Sequence, residues 1–252
     1  PGRAGTEEGG EGEGGGWAGR AVMEAIARAT ATALSAGPAG AGPVLLGGEH
    51  SITFGSLKAL HAQYGHFGVI HFDAHADLRD TYEGTPYSHA CVMRRAVDDS
   101  GLELFQAGVR SLSVEAVAFR KARGIGPLDA RDAMFPLPAA IPSTGSPGCS
   151  ERTAHGSAWE AVVAPALLPP GFPELVFLTF DVDALDSSLM PATGTPEPGG
   201  LFWWDALRLI EAALSGKTCI GFDLLELAPL PGLHAPNFTA ARLVYEIMGM
   251  FD

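Results

Sequence analysis

Five short apolar runs limit the fold of this chain more than any other feature of its sequence. They span residues 43–47, 67–72, 104–109, 175–180 and 218–222. Each has the length of a β-strand, and none alternates cleanly between polar and apolar residues, which is typical of strands buried on both faces. Helical patterns lie around them, at residues 17–36, 52–64, 89–97, 113–123, 157–168, 203–214 and 238–250. The alternation predicts an α/β fold with one mainly parallel sheet and helices on both faces.

The charge of the chain restricts its partners. Its 252 residues include 16 Lys and Arg against 29 Asp and Glu, a net charge of -13. Nucleic acid is not an expected partner, because phosphate binding requires a basic face. An acidic protein attracts cations instead, either metal ions or small amines.

The ends and the cysteines bear on domain organisation and compartment. Residues 1–16 are rich in Gly and Glu and predict a flexible segment, followed by a single domain over residues 17–252. Within this domain, residues 136–155 are rich in Pro, Ser and Gly and predict a loop insertion. The three scattered cysteines do not suit a disulfide framework or a thiolate metal site. No apolar run reaches the roughly 18 residues that cross a bilayer, so we expect no membrane partner and a cytoplasmic location.

Acids and histidines follow four of the predicted strands. These residues are Glu49 and His50, then Asp73, His75 and Asp77, then Asp181 and Asp183, and finally Asp223 and Glu226. In open parallel sheets, ligands bind outside the carboxyl ends of the strands. Four separate segments are therefore expected to deliver acids and histidines to one edge of one sheet.

The spacing of these residues predicts a metal site. Residues two apart in an extended chain point the same way, so Asp73, His75 and Asp77 can converge, as can Asp181 and Asp183. Carboxylates this close repel one another unless divalent cations lie among them. A set of imidazole and carboxylate ligands suits Mn²⁺, with Zn²⁺, Co²⁺ or Fe²⁺ as alternatives. The set exceeds what one tetrahedral ion needs, which favours two ions about 3.5–4 Å apart.

Four sequence blocks resemble the successive signature blocks of the ureohydrolase family, which includes arginase and agmatinase. The blocks are GGEHSITFG, HFDAHADLRD, TFDVDALDSSLMPATGTPEPGG and GFDLLELAPLPG. The stretches YEGTPYSHACVMRR and ELAPLPG are most similar to bacterial and archaeal agmatinases. The resemblance implies a three-layer α-β-α fold, two Mn²⁺ ions per chain and a homo-oligomer, either a trimer or a hexamer.

The resemblance also implies a role for each matching residue. One ion would be bound by His50, Asp73, Asp77 and Asp181, and the other by His75, Asp73, Asp181 and Asp183. Glu226 matches the residue that pairs with a guanidinium group, whose planar fork offers parallel N–H bonds to a carboxylate. His89 matches a histidine that passes protons to the leaving amine. The implied reaction is hydrolysis of a guanidino group to urea and an amine.

The substrate is expected to be a small cationic guanidino compound. Arginases place an Asn just after the block that contains Asp77, whereas this chain has Leu78 and Arg79, which argues against arginine. Agmatine, which yields putrescine and urea for polyamine biosynthesis, fits an acidic protein. Arg79 keeps 4-guanidinobutyrate open as an alternative, because a cation at the rim of the site can hold a carboxylate. Glu83 is a candidate for positioning an amine.

Two other hypotheses belong to different classes. The first is a non-catalytic, metal-binding relative, motivated by Ala90 and Cys91 standing where many relatives have Gly and Thr. The second is a metal-dependent amide hydrolase such as a deacetylase, which usually needs a single ion. Metal stoichiometry and urea release discriminate among the three hypotheses.

Overall fold

A computed structural model describes residues 14–38, 40–134 and 167–251 of the chain. Its centre is a 6-stranded sheet in the order β1-β6-β5-β2-β3-β4, in which every neighbouring pair is parallel. The strands are β1 (Val44–Leu46), β2 (Gly68–Phe72), β3 (Glu103–Ala107), β4 (Pro127–Leu128), β5 (Leu175–Asp181) and β6 (Thr218–Leu225). The predicted parallel α/β sheet is confirmed.

Helices connect these strands. They are α1 (Gly14–Ala36), α2 (Ile52–Tyr64), α3 (Val92–Ser100), α4 (Val114–Arg123), α5 (Ala130–Met134), α6 (Trp203–Leu214) and α7 (Ala235–Met248). The start of α4 shows why the sequence gives a helix there: the Ser113 side chain accepts a hydrogen bond from the amide of Ala116 at 3.1 Å. Gly124 then ends the helix in the left-handed conformation.

Two apolar cores lie on opposite faces of the sheet. Alternate residues of β2 show this, because Val69 packs in the core that includes residues of α1 to α4, while Ile70 packs in the core that includes α6 and α7. Both residues are fully buried. The central strands β2 and β5 are therefore covered on both faces, which explains their largely apolar sequences and produces the three-layer α-β-α architecture.

The two edges of the sheet depart from the sequence predictions. Strand β1 was expected to be buried on both faces, yet Val44 is 42% exposed and Leu46 is 64% exposed. The prediction is wrong because β1 is an edge strand that pairs only with β6 among the described residues. At the opposite edge, β4 and α5 were not predicted, since neither is long enough to show a periodicity.

Some predicted boundaries differ from the structure. Helix α1 begins at Gly14, so residues 14–16 of the predicted flexible segment are helical. The pattern over residues 89–97 is a 3₁₀ turn, His89–Cys91, followed by α3. The rest of the flexible segment, the insertion at 136–155 and nearly all of the helix predicted at 157–168 lie outside the described residues. In the part of the chain that is described, no helix is both long and apolar enough to span a membrane.

The chain order of the strands creates a crevice between β2 and β5. From β2 the chain continues outward to β3 and β4, whereas from β5 it continues in the opposite direction to β6. At such a reversal, the connections after the two adjacent strands diverge and leave room for a ligand at their carboxyl ends. Asp73 directly follows β2, and Asp181 is the last residue of β5.

Candidate metal centre

The structure brings the predicted ligands together at this crevice. We call these residues the centre: His50, Asp73, His75, Asp77, Asp181 and Asp183. All are buried except His75, whose side chain is 27% exposed. Asp181 ends β5, and the others come from the segments that follow β1, β2 and β5, as expected for the carboxyl edge of a parallel sheet.

His50 occupies the most buried part of the centre. Its Nδ1 atom lies 3.1 Å from Asp73 Oδ2, 3.2 Å from Asp77 Oδ2 and 3.3 Å from Asp181 Oδ2. This nitrogen is buried and makes no hydrogen bond within the described residues. Its other nitrogen, Nε2, lies 2.9 Å from the Thr179 hydroxyl. An unpaired imidazole nitrogen that faces three carboxylates fits a site for a divalent cation.

His75 lies on the other side of Asp73. Its Nδ1 atom is 3.0 Å from Asp183 Oδ2 and 3.4 Å from Asp73 Oδ1. The two oxygens of Asp73 therefore face different histidines, with Oδ2 toward His50 and Oδ1 toward His75. A carboxylate in this position can bridge two ions, which is the role that the family resemblance implies for Asp73.

The tightest groupings differ in one respect from the predicted ligand sets. Ligand atoms lie within 4.8 Å of one another in two groups, one of His50, His71, Asp73 and Asp77 and the other of Asp73, His75 and Asp183. Asp181 belongs to neither group, and its Oδ1 atom accepts the amide of Asp183 at 2.8 Å. The bridging role of Asp181 therefore stays a prediction. His71 was not among the predicted ligands, although it continues the two-residue spacing of Asp73, His75 and Asp77.

The buried carboxyl groups of the centre lie so close together that burial and mutual repulsion oppose their ionisation. Burial raises the pKa of Asp77 and Asp183 and raises that of Asp181 well above its usual value, and the charge of Asp73 adds to each shift. Although burial alone would lower it, the pKa of His75 is raised to about 11 by its contacts with Asp183 and Asp73. Burial and mutual repulsion thus favour the neutral form of these three carboxyl groups, whereas the neighbouring carboxylates favour a positive charge on His75. Both effects favour a cation bound within the cluster.

Two acids of the site have left-handed backbones. Asp77 has a φ of 52° and Glu226 a φ of 64°, values that residues other than glycine rarely adopt. The carbonyl of Asp77 accepts the amides of Met93 and Arg94, each at 3.1 Å, and the amide of Glu226 donates to Gly48 at 2.7 Å. These hydrogen bonds stabilise both conformations, which are typical of functional positions.

Arg110 fastens the loop that contains Asp183. Its guanidinium Nη2 donates to the carbonyls of Asp183 at 2.7 Å and Glu197 at 2.8 Å, and its Nη1 donates to Gly108 at 3.0 Å. Gly200 permits this approach, because a Cβ there would lie 2.6 Å from Nη2. The loop also returns to the centre through Thr195, whose hydroxyl donates to Asp183 Oδ2 at 3.2 Å. Neither Arg110 nor Thr195 was among the residues predicted from the sequence.

His89 and Glu49 form a pair at the entrance to the centre. The His89 amide and its ring Nδ1 lie 2.8 and 3.1 Å from Glu49 Oε1, and the side chains are 44% and 48% exposed. The Glu49 carboxylate raises the pKa of His89. Because Nδ1 faces Glu49, Nε2 is the ring nitrogen that remains for a ligand in the cleft.

Glu226 is tied to the centre through the backbone. Its Oε1 atom accepts the amide of His50 at 2.6 Å, and Oε2 makes no hydrogen bond within the described ranges. Burial raises the pKa of Glu226. One carboxylate oxygen thus fixes the side chain next to a predicted ligand, and the other is left to accept a further hydrogen bond.

A cavity of about 290 Å³ opens beside the centre and has His75, Asp77, Arg79, Tyr82 and His89 among its lining residues. The Arg79 guanidinium lies 5.4 Å from the centre of the Tyr82 ring, which meets the His89 ring edge-on at 5.6 Å. We call Glu49, Arg79, Tyr82 and His89 the rim. Glu83 is exposed, has a φ of 50° and does not line this cavity.

A larger cavity of about 860 Å³ lies beside β1 and α7, and none of its lining residues belongs to the centre.

The fold and the centre together define a class: a parallel α/β protein with a candidate metal centre at the carboxyl ends of its strands. A family model described as the Arginase family matches residues 15–135 and 151–249. The chain therefore belongs to the arginase family.

Individual relatives agree with this assignment. The chain is 36% identical over 208 residues to an agmatinase of Pyrococcus horikoshii and 38% identical over 208 residues to an N(1)-aminopropylagmatine ureohydrolase of Thermococcus kodakarensis. Each match covers 82% of this chain but only 62% and 61% of the relatives. The agmatine ureohydrolase structure of Thermoplasma volcanium superposes with a TM-score of 0.70 at 28% identity, covering 92% of this chain and 69% of that one. The chain thus spans about six-tenths of the length of these curated relatives.

Proposed function

We propose that this protein is a dinuclear-metal ureohydrolase that cleaves a guanidino group to urea and an amine, with agmatine as its substrate. The observation that carries the proposal is the convergence of the centre at the crevice between β2 and β5, where His50 Nδ1 faces three carboxylates. The names of the relatives support the substrate class. With agmatine, the product would be putrescine, which would place the protein in polyamine biosynthesis.

The centre suits two divalent ions, for which we propose Mn²⁺ because the ligands are imidazole nitrogens and carboxylate oxygens. His50, Asp73, Asp77 and Asp181 would hold one ion, and His75, Asp73, Asp181 and Asp183 the other. When bound, such a pair supplies positive charge and an activated water molecule for attack on the guanidinium carbon.

Residues outside the centre would bind the substrate and move protons. Glu226 would accept N–H groups of the planar guanidinium through Oε2, because Oε1 already accepts the His50 amide. His89 would deliver a proton to the leaving amine from Nε2, because Nδ1 faces Glu49. The Glu49 carboxylate raises the pKa of His89, which favours the protonated form that this step requires.

Acidic side chains around the cleft support a cationic tail on the substrate, but one basic side chain leaves an alternative. Glu49 of the rim is acidic, and outside the rim Glu197 Oε1 lies 4.0 Å from His75 Nε2. An amine such as the far end of agmatine, or of N(1)-aminopropylagmatine, would be attracted there. Arg79 lines the same cavity and favours a carboxylate tail instead, as in 4-guanidinobutyrate.

Substrate profiling tests the proposal. The Mn²⁺-reconstituted protein should release urea from agmatine or N(1)-aminopropylagmatine faster than from arginine or 4-guanidinobutyrate. Arg79→Gln should lower KM for a cationic substrate and raise it for a carboxylate substrate. Arg131→Gln, at an exposed position of α5, should change neither KM.

Binding of two Mn²⁺ ions without urea release would favour the hypothesis of a non-catalytic relative. A single ion with amide hydrolysis would favour the deacetylase-like hypothesis. A homo-oligomeric state and a cytoplasmic location stay predictions.

A further inference from the structure

A buried row of polar side chains crosses the sheet directly beneath the centre. Strand register places Asp223 of β6 beside Thr179 of β5, Thr179 beside His71 of β2, and His71 beside Gln106 of β3. All four are fully buried in strands that are otherwise almost entirely apolar. Buried polar groups are costly without partners, so a row at a single level of the sheet calls for an explanation.

The orientation of Gln106 follows from two neighbours that each permit only one arrangement. The Arg120 Nε–H group can only donate, and it lies 2.8 Å from Gln106 Oε1. The Ala76 carbonyl can only accept, and it lies 2.8 Å from Gln106 Nε2. A flipped amide would place two donors together at Arg120 and two acceptors together at Ala76. The NH₂ group therefore faces Ala76 and His71.

This orientation determines which tautomer of the His71 ring fits its two neighbours. Gln106 Nε2 lies 2.8 Å from His71 Nδ1, and since the amide nitrogen donates, Nδ1 must accept. The ring proton is then on Nε2, which lies 2.8 Å from Asp73 Oδ2. His71 thus donates to the carboxylate oxygen that also faces His50 at 3.1 Å.

We propose that His71 is a positioning residue that fixes the Asp73 carboxylate for metal binding, and that Gln106 and Arg120 act through it by setting its tautomer. Arg120 is itself held by Asp129, whose Oδ1 accepts from Nη1 at 2.8 Å. The inference rests on the proposed function because it assumes that Asp73 binds metal. Groups that hydrogen-bond to ligating side chains orient them, and their loss typically lowers metal affinity or activity about 10- to 100-fold.

The first test needs no substitution of the residues that set the tautomer. Long-range ¹H–¹⁵N correlation spectra of metal-free protein labelled with [¹⁵N]histidine report which ring nitrogen carries the proton. His71→Gln identifies the His71 signals by their loss. We expect a proton on Nε2 and an unprotonated Nδ1 at a single near-neutral pH. A proton on Nδ1 would overturn the proposal.

The second test changes the donor while keeping the shape of the side chain. Gln106→Glu replaces the NH₂ donor with an oxygen and keeps an acceptor for Arg120. We expect the His71 spectrum to change and Mn²⁺ affinity, measured by calorimetry, to fall about 10- to 100-fold. The matched control is Gln63→Glu at an exposed position of α2, which should bind Mn²⁺ as the wild type does.

The outcomes separate this inference from the proposed function. If Gln106→Glu folds by circular dichroism and binds Mn²⁺ as tightly as Gln63→Glu, His71 does not position Asp73 through Gln106, and the inference is wrong. If the wild type itself binds no Mn²⁺ and releases no urea, the proposed function fails, whatever the tautomer. If Gln106→Glu does not fold, the wild-type spectrum alone decides.

Discussion

The centre and the rim of the same cleft are built in different ways. In the centre, the buried histidine and the aspartates lie at the ends of strands or within a few residues of those ends. Each of these side chains is close to several other buried groups. The rim consists of loop and turn residues, of which Glu49 and His89 are almost half exposed. Arg79 and Tyr82 meet mainly through a ring contact of 5.4 Å.

This difference indicates a division of labour. Strand register holds the ligand side chains of the centre in closely defined positions relative to one another, as metal binding requires. Loop side chains can change without disturbing the sheet, so the choice among agmatine, aminopropylagmatine and 4-guanidinobutyrate is expected to reside in the rim. The comparison predicts that substitutions in the centre reduce metal binding together with activity, while substitutions in the rim change kcat or KM without changing the metal content.

The largest expected effect is that of Asp183→Asn in the centre. The amide cannot replace the carboxylate that faces His75 Nδ1 at 3.0 Å, so one ion should be lost. A loss of about 4 kcal/mol of transition-state stabilisation would lower urea release about 10³-fold. Metal content by mass spectrometry and urea release by a colorimetric assay check both parts.

Asp186→Asn is the matched control for this substitution. It makes the same chemical change three residues further along the same loop, and it should keep its metal and its activity at neutral pH. Full metal occupancy in Asp183→Asn would contradict the assignment of this residue to the centre.

A smaller effect is expected in the rim from His89→Asn. Loss of the proton donor should lower kcat about 10²- to 10³-fold with little change in KM, because general acid catalysis contributes on this scale. Mn²⁺ stoichiometry should stay the same, which distinguishes the rim from the centre. His66→Asn, which removes a surface histidine paired with Glu103 at 3.2 Å, should leave kcat unchanged. If His89→Asn also loses metal, the division between centre and rim is wrong.

The sequence predicted the sheet and the centre because both depend on local patterns. Apolar runs marked the buried strands, and acids at strand ends marked the carboxyl edge, so the convergence of His50, Asp73 and Asp183 followed from the general geometry of parallel sheets. The exposed faces of β1 could not be predicted in the same way, because a strand does not encode which neighbours it will have.

The residues that support the centre could not be predicted from the sequence for a related reason. His71, Gln106 and Thr179 are isolated polar residues between apolar neighbours in three largely apolar strands, and only strand register places them side by side. Arg110 donates hydrogen bonds to backbone carbonyl groups. Because every residue type has such a group, the partners of Arg110 cannot be recognised from the sequence. Predicting these residues would have required the order of the strands in the sheet.

The smallest predicted effect concerns the stability that Asp186 provides next to the centre. Its Oδ2 atom accepts the amides of Gly199 at 2.8 Å and Gly200 at 3.1 Å, and its Oδ1 atom accepts that of Ser188 at 3.0 Å. Although the slight burial opposes it, these bonds together with the Ser188 hydroxyl lower the pKa of Asp186 to about 2. Asp186→Asn should therefore reduce the free energy of unfolding by about 1 kcal/mol at neutral pH.

The pH dependence of this difference has a definite sign. A carboxylate whose pKa is lowered by folding stabilises the native state above its unfolded pKa of about 3.9, and this contribution is lost as the pH falls toward 2. The gap in unfolding free energy between wild type and Asp186→Asn should thus be constant above about pH 5 and shrink below about pH 4. Urea denaturation at several pH values measures it. A gap that stays constant down to pH 2, or widens there, would mean that the ionised carboxylate does not hold this loop.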